Sequence, residues 1–187
     1  MALLIIGLIL FIGIHSVQIF APDFRNGVIA TRGDDAWKGI YSVISIAGFV
    51  LIIYGYSLTL DHAPVLYAPV GGARGLSFIL MPIALILLVA SQGPVGYLKK
   101  VVRHPMLWGV ILWAVIHLAN NGDAASVLMF GSLFVWAVLD LISCYRRGGT
   151  PPKASLAGDI VAVIVGLIAT YVFIRFLHEY LFGVAVM

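Results

Sequence analysis

The sequence predicts an all-α protein: a polytopic transmembrane helix bundle of about six spans, one domain over residues 1–187, with both termini on the non-cytoplasmic side. Three observations predict it. The first is composition. Of 187 residues, 62% are hydrophobic and only 10% are charged, and the mean hydropathy is +1.09. A soluble domain carries about a quarter of its residues as Asp, Glu, Lys or Arg. So few charges cannot cover a water-facing exterior, which makes lipid the outer solvent. The second is a series of six long apolar stretches, and the third is a lopsided distribution of Lys and Arg between the loops that join them.

The stretches run Leu3–Phe20, Gly39–Leu60, Gly75–Ser91, Met106–Ala119, Ala124–Cys144 and Gly158–Leu177. A span needs ~20 residues at ~1.5 Å each to cross the hydrocarbon core. The first stretch has no basic leader and no small-x-small cleavage site after it, so it reads as a retained span rather than a signal peptide. Pro22, Pro64, Pro69, Pro94, Pro105 and the pair Pro151–Pro152 fall at or between span ends. Pro82 lies inside the third stretch, where it should kink the helix. The fourth stretch is short. Its fourteen residues reach only ~21 Å of a ~30 Å core. Either that helix begins earlier, in Tyr97–Arg103, or the turn Asn120-Asn121-Gly122-Asp123 is sunk below the far surface, buried in protein or facing water. The longest loop, Ala21–Lys38, mixes three basic and three acidic residues and reads as an ordered cytoplasmic cap.

Loops after spans one, three and five hold Arg25, Arg32, Lys38, Lys99, Lys100, Arg103, Arg146, Arg147 and Lys153, against Arg74 and Arg175 on the other side. Nine against two sets the orientation. The net charge of +3 is thereby explained by cytoplasmic loops, and nucleic acid is not an expected partner; membrane lipid is. Cys144 is the only cysteine, which excludes an internal disulfide and a thiolate-rich metal site. No Walker loop, dinucleotide glycine pattern, HExxH or GxSxG is present, so phosphate-binding and hydrolase readings have no support.

Ionisable groups inside spans are the first functional candidates, because stranding them in lipid costs several kcal/mol. His15, His117 and Asp140 qualify, with Arg175 near an outer end. On the first helix Gly7, Phe11, His15 and Gln18 share a face. That stripe suits a cofactor-facing wall; it equally suits helix packing with His15 bonded to a neighbour's carbonyl. On the fourth helix His117 has Trp113 one turn before it and Asn120 and Asn121 after it. His104 points about 140° from His117 on a helix and belongs at the interface, where Pro105 opens the helix. His15 lies ~7.5 Å and His117 ~16 Å in from the cytoplasmic end. They thus come within ~9 Å of one depth, which a tilted planar cofactor can bridge. Two neutral imidazoles are what axial haem ligation needs. Asp140 either fixes the His15 ring through Nδ1–H or snorkels to Arg146 or Arg147. His62 and His178 are placed in or beside outer loops as solvated residues.

Several segments together resemble the NnrU family of bacterial membrane proteins: His15-Ser-Val-Gln-Ile-Phe-Ala-Pro, Ala36-Trp-Lys-Gly-Ile-Tyr-Ser, Arg103-His-Pro-Met-Leu-Trp-Gly, Leu112-Trp-Ala-Val-Ile-His-Leu-Ala-Asn-Asn-Gly-Asp and Trp136-Ala-Val-Leu-Asp. The resemblance runs in order from residue 1 to about 147, and the last span resembles the family only in being apolar. The family is associated with nitrite and nitric oxide metabolism in denitrifying bacteria, and is similar to 15-cis-ζ-carotene isomerase, a membrane enzyme using haem b. Carried over by position, the isomerase's two ligating histidines fall on His15 and His117. A cysteine that the isomerase places three residues before its second ligand is Ala114 here, so the resemblance does not carry a redox-driven ligand switch. A weaker likeness to isoprenylcysteine carboxyl methyltransferases rests on Arg103-His104-Pro105 and Gly109. It lacks the motif's tyrosine and the acidic, aromatic C-terminal segment.

The expectation is therefore a multi-pass protein of the bacterial inner membrane with one haem b between helices one and four. His15 and His117 are the expected axial ligands, and Phe11, Gln18, Trp113, Asn121, Asp140 and His104 their surroundings. Its chemistry would be redox or gas-ligand work, or cis–trans isomerisation of an apolar polyene, with Trp113, Phe11 and Met106 as contacts for such a substrate. The alternatives are a non-catalytic membrane subunit or sensor supporting denitrification enzymes, and a methyltransferase relative. Homodimerisation through Gly7, Gly13 or Gly48 is a further option, which competes with internal packing at the same glycines.

Overall fold

The computed structural model describes residues 1–60, 62–149, 153–183 and 186; the Pro151–Pro152 punctuation lies outside the described residues. Nine α-helices follow one another within them: α1 (Ala2–Phe20), α2 (Pro22–Arg32), α3 (Asp34–Ser57), α4 (Ala73–Gln92), α5 (Tyr97–Val102), α6 (Pro105–Asn120), α7 (Ala124–Arg147), α8 (Leu156–Val172) and α9 (His178–Phe182), with a π-helical stretch Phe173–Leu177 joining the last two. Among the described residues there is no strand, only an isolated antiparallel bridge between Val65 and Asp123. Five helices are long and apolar enough to cross a membrane: α1, α3, α4, α7 and the continuous run Leu156–Phe182. The sixth expected span, α6, has 16 residues, or ~24 Å, still short of the ~30 Å core. Large apolar side chains are turned outward along these helices, with Ile9 66% and Val43 69% exposed. A surface of that kind is a lipid-facing one, and the protein is a membrane protein.

The chain divides into two compact units, residues 1–64 and 65–187. In the first, α1 and α3 pack so closely that glycine is required. A Cβ on Gly7 would lie 2.7 Å from the Ile52 nitrogen, one on Gly48 2.7 Å from the Phe11 nitrogen, and one on Gly55 nearer still to the Leu4 backbone. Leu4, Leu8, Ile52 and Tyr56 fill that seam. Gly7 and Gly48 are thus spent on internal packing, while Gly13 faces open space. The expected cap at 21–38 is helix rather than loop. Ala21 leaves helical geometry (φ −138°, ψ 51°) ahead of Pro22, as a residue before proline tends to, and Pro22 then opens α2 at its first turn. Gly33, at φ 87°, turns the chain into α3, which gains Asp34 and Asp35 in its positive N-terminal turn.

In the second unit α4 packs against α6 and α8, and α6 against α7. Gly109 lets α6 approach the Ala84 carbonyl of α4, and Gly166 lets α8 approach Ile86. Helix α4 runs through Pro82, which offers no amide to the carbonyl four residues back. The basic segment before α6 does not extend that helix. It forms α5 separately, and the break is Arg103, the only non-glycine residue with positive φ among those described (φ 63°). Its ψ is −53° and the His104 amide donates to the Val102 carbonyl at 2.7 Å. Together these make a γ-turn of the strained kind, costing of order 1–3 kcal/mol. α5 is held by α8. The Asp159 carboxylate accepts from the Tyr97 and Leu98 amides at 2.9 and 3.0 Å, and Gly96 has no room for a Cβ beside it.

Candidate functional site

Two histidines carry the site expectation, one in each unit, and each is held in the same way. In the first unit His15 projects from α1 half-buried, with Nδ1 2.6 Å from the Phe11 carbonyl one turn back. A carbonyl oxygen only accepts, so Nδ1 carries the hydrogen and the ring's lone pair sits on Nε2. Phe11 lies against the imidazole at 4.2 Å between ring centroids and Tyr41 of α3 at 5.0 Å. Phe49 and Trp37 extend this aromatic wall, 6.2 Å from Phe11 and 6.5 Å from Tyr41. Gln18 is half-buried on the same helix.

In the second unit His117 donates from Nδ1 to the Trp113 carbonyl at 2.8 Å. Its ring stacks on Phe130 of α7 (4.4 Å, 23°) and leans on Trp113 (4.8 Å). Trp113 and Phe130 meet edge to face at 4.9 Å. The packing reading gave His15 the carbonyl of a neighbouring helix; its Nδ1 bonds the carbonyl of Phe11 on its own helix. His178 is half-buried.

The end of α6 is held by polar groups. Asn121 donates to the His117 carbonyl at 2.9 Å, and Asn120 to the Ile116 carbonyl and the Ser77 hydroxyl at 2.8 and 2.9 Å. The segment 65–70 wraps this turn. The Leu66 amide donates to the Gly122 carbonyl at 2.7 Å and that of Val70 to the Ala119 carbonyl at 2.8 Å, and the Tyr67 hydroxyl reaches the carbonyls of Leu118 and Asn121. This segment covers the turn, with Gly122 buried and Asn120, Asn121 and Asp123 half-buried. The contacts made by segment 65–70 were not legible, because their partners lie some fifty residues apart.

Asp140 pairs with Arg147 at 3.5 Å and receives a contact from the Cys144 thiol at 3.7 Å. This is the snorkelling pair foreseen for the carboxylate. His104 stands at the entry to α6 with its ring edge-on to Tyr145 at 5.2 Å. Burial pushes its pKa below the usual imidazole value, against the opposing pull of Asp140.

Among the described residues no group of three or more His, Cys, Asp or Glu side chains converges as a metal cage would. A metal held by protein atoms alone has no such donor set there. Iron in a porphyrin asks less of the chain, since the macrocycle supplies four nitrogens and one or two imidazole Nε2 atoms complete the set. The tautomer fixed at His15 and His117 is the one that fits.

No curated protein and no solved structure matches this chain. The family described as NnrU protein matches residues 3–186, reaching through the last helix, which the sequence motifs alone did not. That match covers nearly the whole chain, and the protein belongs to the NnrU family.

Proposed function

We propose that this protein binds haem b through the imidazoles of His15 and His117 and serves redox or gas-ligand chemistry linked to nitric oxide or nitrite in the bacterial inner membrane. The observation that carries the reading is the shared anchor: Nδ1–H donated to the carbonyl four residues back, at 2.6 and 2.8 Å. Anchoring of this kind orients an imidazole and raises its basicity as a ligand. Bound haem would supply one-electron exchange and an iron that takes a small gas ligand. The chain's own contribution is to hold the two rings, to surround them with Phe11, Tyr41, Trp113 and Phe130, and to keep water from them. In this reading the basic loops face the cytoplasm and both termini lie on the opposite side.

A second use of the same site, cis–trans isomerisation of a polyene, is favoured by the apolar outer surfaces, which let such a substrate arrive from lipid. The competing class is a non-catalytic subunit or sensor in which the histidines only shape the helices.

A visible spectrum of the purified protein separates them. Haem binding predicts a Soret band that His15→Ala or His117→Ala removes or shifts, with added imidazole restoring it in the variant. A colourless preparation from haem-supplemented cells overturns the proposal and leaves the structural subunit. Binding of S-adenosylmethionine would instead point to the methyltransferase likeness.

A further inference from the structure

We propose that the γ-turn between α5 and α6, together with the end of α7, forms a binding surface for the phosphate of an anionic membrane lipid. Arg103, Arg147 and Asp140 all act electrostatically on His104, and Tyr145 touches it, so these groups share one neighbourhood at the basic end of the second unit. The acids there are engaged. Asp140 is paired with Arg147, and Asp159 is occupied by the amides of Tyr97 and Leu98. Lys99 is tied to the Ser91 carbonyl at 2.6 Å. Lys100, Arg103 and Arg146 remain, exposed, with side chains that make no ion pair or hydrogen bond among the described residues. The surface therefore holds a surplus of unneutralised cations.

Arg103 is the telling member. Glycine would adopt its backbone conformation without strain, so what an arginine adds at that point is an outward guanidinium, a planar fork matched to phosphate oxygens. The surroundings favour a lipid over a dissolved anion. Val101 is 80% exposed, and Tyr97, Met106, Trp108 and Tyr145 are exposed beside the cations. Apolar bodies and aromatic rings next to charged tips are what a membrane interface solvates, and anionic headgroups are the counter-charge found there.

The test uses the full chain in zwitterionic micelles, its thermal unfolding followed with added phosphatidylglycerol, phosphatidylcholine or inorganic phosphate. Phosphatidylglycerol should raise the melting temperature of the wild type by several degrees, and the other two should not. Arg103→Gly should unfold no earlier than wild type without lipid, since it relieves the turn, yet lose at least half of the phosphatidylglycerol shift. Arg103→Lys should keep more of it, and Arg32→Gln, the same charge change elsewhere, should keep all of it. If Arg103→Gly does not fold, Lys100→Gln/Arg146→Gln on exposed side chains carries the same expectation. A full shift in these variants, an equal loss in Arg32→Gln, or equal protection by inorganic phosphate overturns the proposal.

Discussion

Gly48→Ala is the most informative packing change, because it acts on the helix seam and on the His15 anchor together. The added Cβ would stand 2.7 Å from the Phe11 nitrogen and 3.0 Å from the Gly7 carbonyl oxygen and the Phe11 Cβ. Two of these atoms are backbone, so no rotamer change relieves the contact and α1 must shift on α3. Overpacking of this kind costs about 1–3 kcal/mol, while alanine in a helix interior recovers about 1 kcal/mol over glycine. Gly13→Ala isolates the second effect, because nothing lies within 4 Å of its Cβ position. The two variants should therefore differ by about 1–3 kcal/mol, with Gly48→Ala the weaker. At about 2–4 °C per kcal/mol for a chain of this size, thermal unfolding by far-ultraviolet circular dichroism should separate them by roughly 2–12 °C. Equal melting of the two variants would refute the close approach of α1 and α3. Because the displaced backbone is that of Phe11, any haem signal should also be weaker in Gly48→Ala than in Gly13→Ala.

Other changes probe the second unit. Asp159→Asn leaves one oxygen where two receive the Tyr97 and Leu98 amides, and should cost about 1.5–3 kcal/mol, with faster hydrogen exchange at those two amides as the local signature. Tyr67→Phe removes the hydroxyl shared between Leu118 and Asn121 and should cost about 1 kcal/mol in thermal unfolding, with the helix content of α6 unchanged. His104 is held below the ordinary imidazole pKa of 6.5, mainly by burial, so the unfolded chain binds its proton more readily than the folded one. Stability should be complete above pH 6.5 and fall as the pH drops from there toward the folded pKa. A melting series across that range should be flatter in His104→Gln than in wild type.

The apolar helices were legible because lipid leaves one strong signal, an uninterrupted apolar run, and those runs coincide with α1, α3, α4, α6, α7 and the last helix to within a few residues at most ends; five of these helices are long enough to cross a membrane. Hydropathy marks what lipid accepts, not where a helix begins, so α3 starts five residues before Gly39, and α2 was hidden in a charged segment. The break at Arg103 was invisible for another reason. Positive φ at a non-glycine residue is enforced by tertiary packing, and nothing in Val102-Arg103-His104 advertises it. Phe11 and Trp113, each four residues ahead of a histidine, were readable as a face. That the intervening carbonyl, and not the ring alone, governs each imidazole needed coordinates. The hydrogen-bond partners of Asp159 and Tyr67 are long-range and had no signature at all.

The anchor at each imidazole is a main-chain oxygen, and this has a bearing on how the site tolerates mutation. A side-chain partner is lost by one codon change; a peptide carbonyl is not. Substituting Phe11 or Trp113 alters what the ring leans on but leaves its proton on the same nitrogen, so long as the helix persists. Under the haem reading proposed above, such a site can drift in its lining, and so in potential or ligand preference, while its two nitrogen donors stay chemically the same.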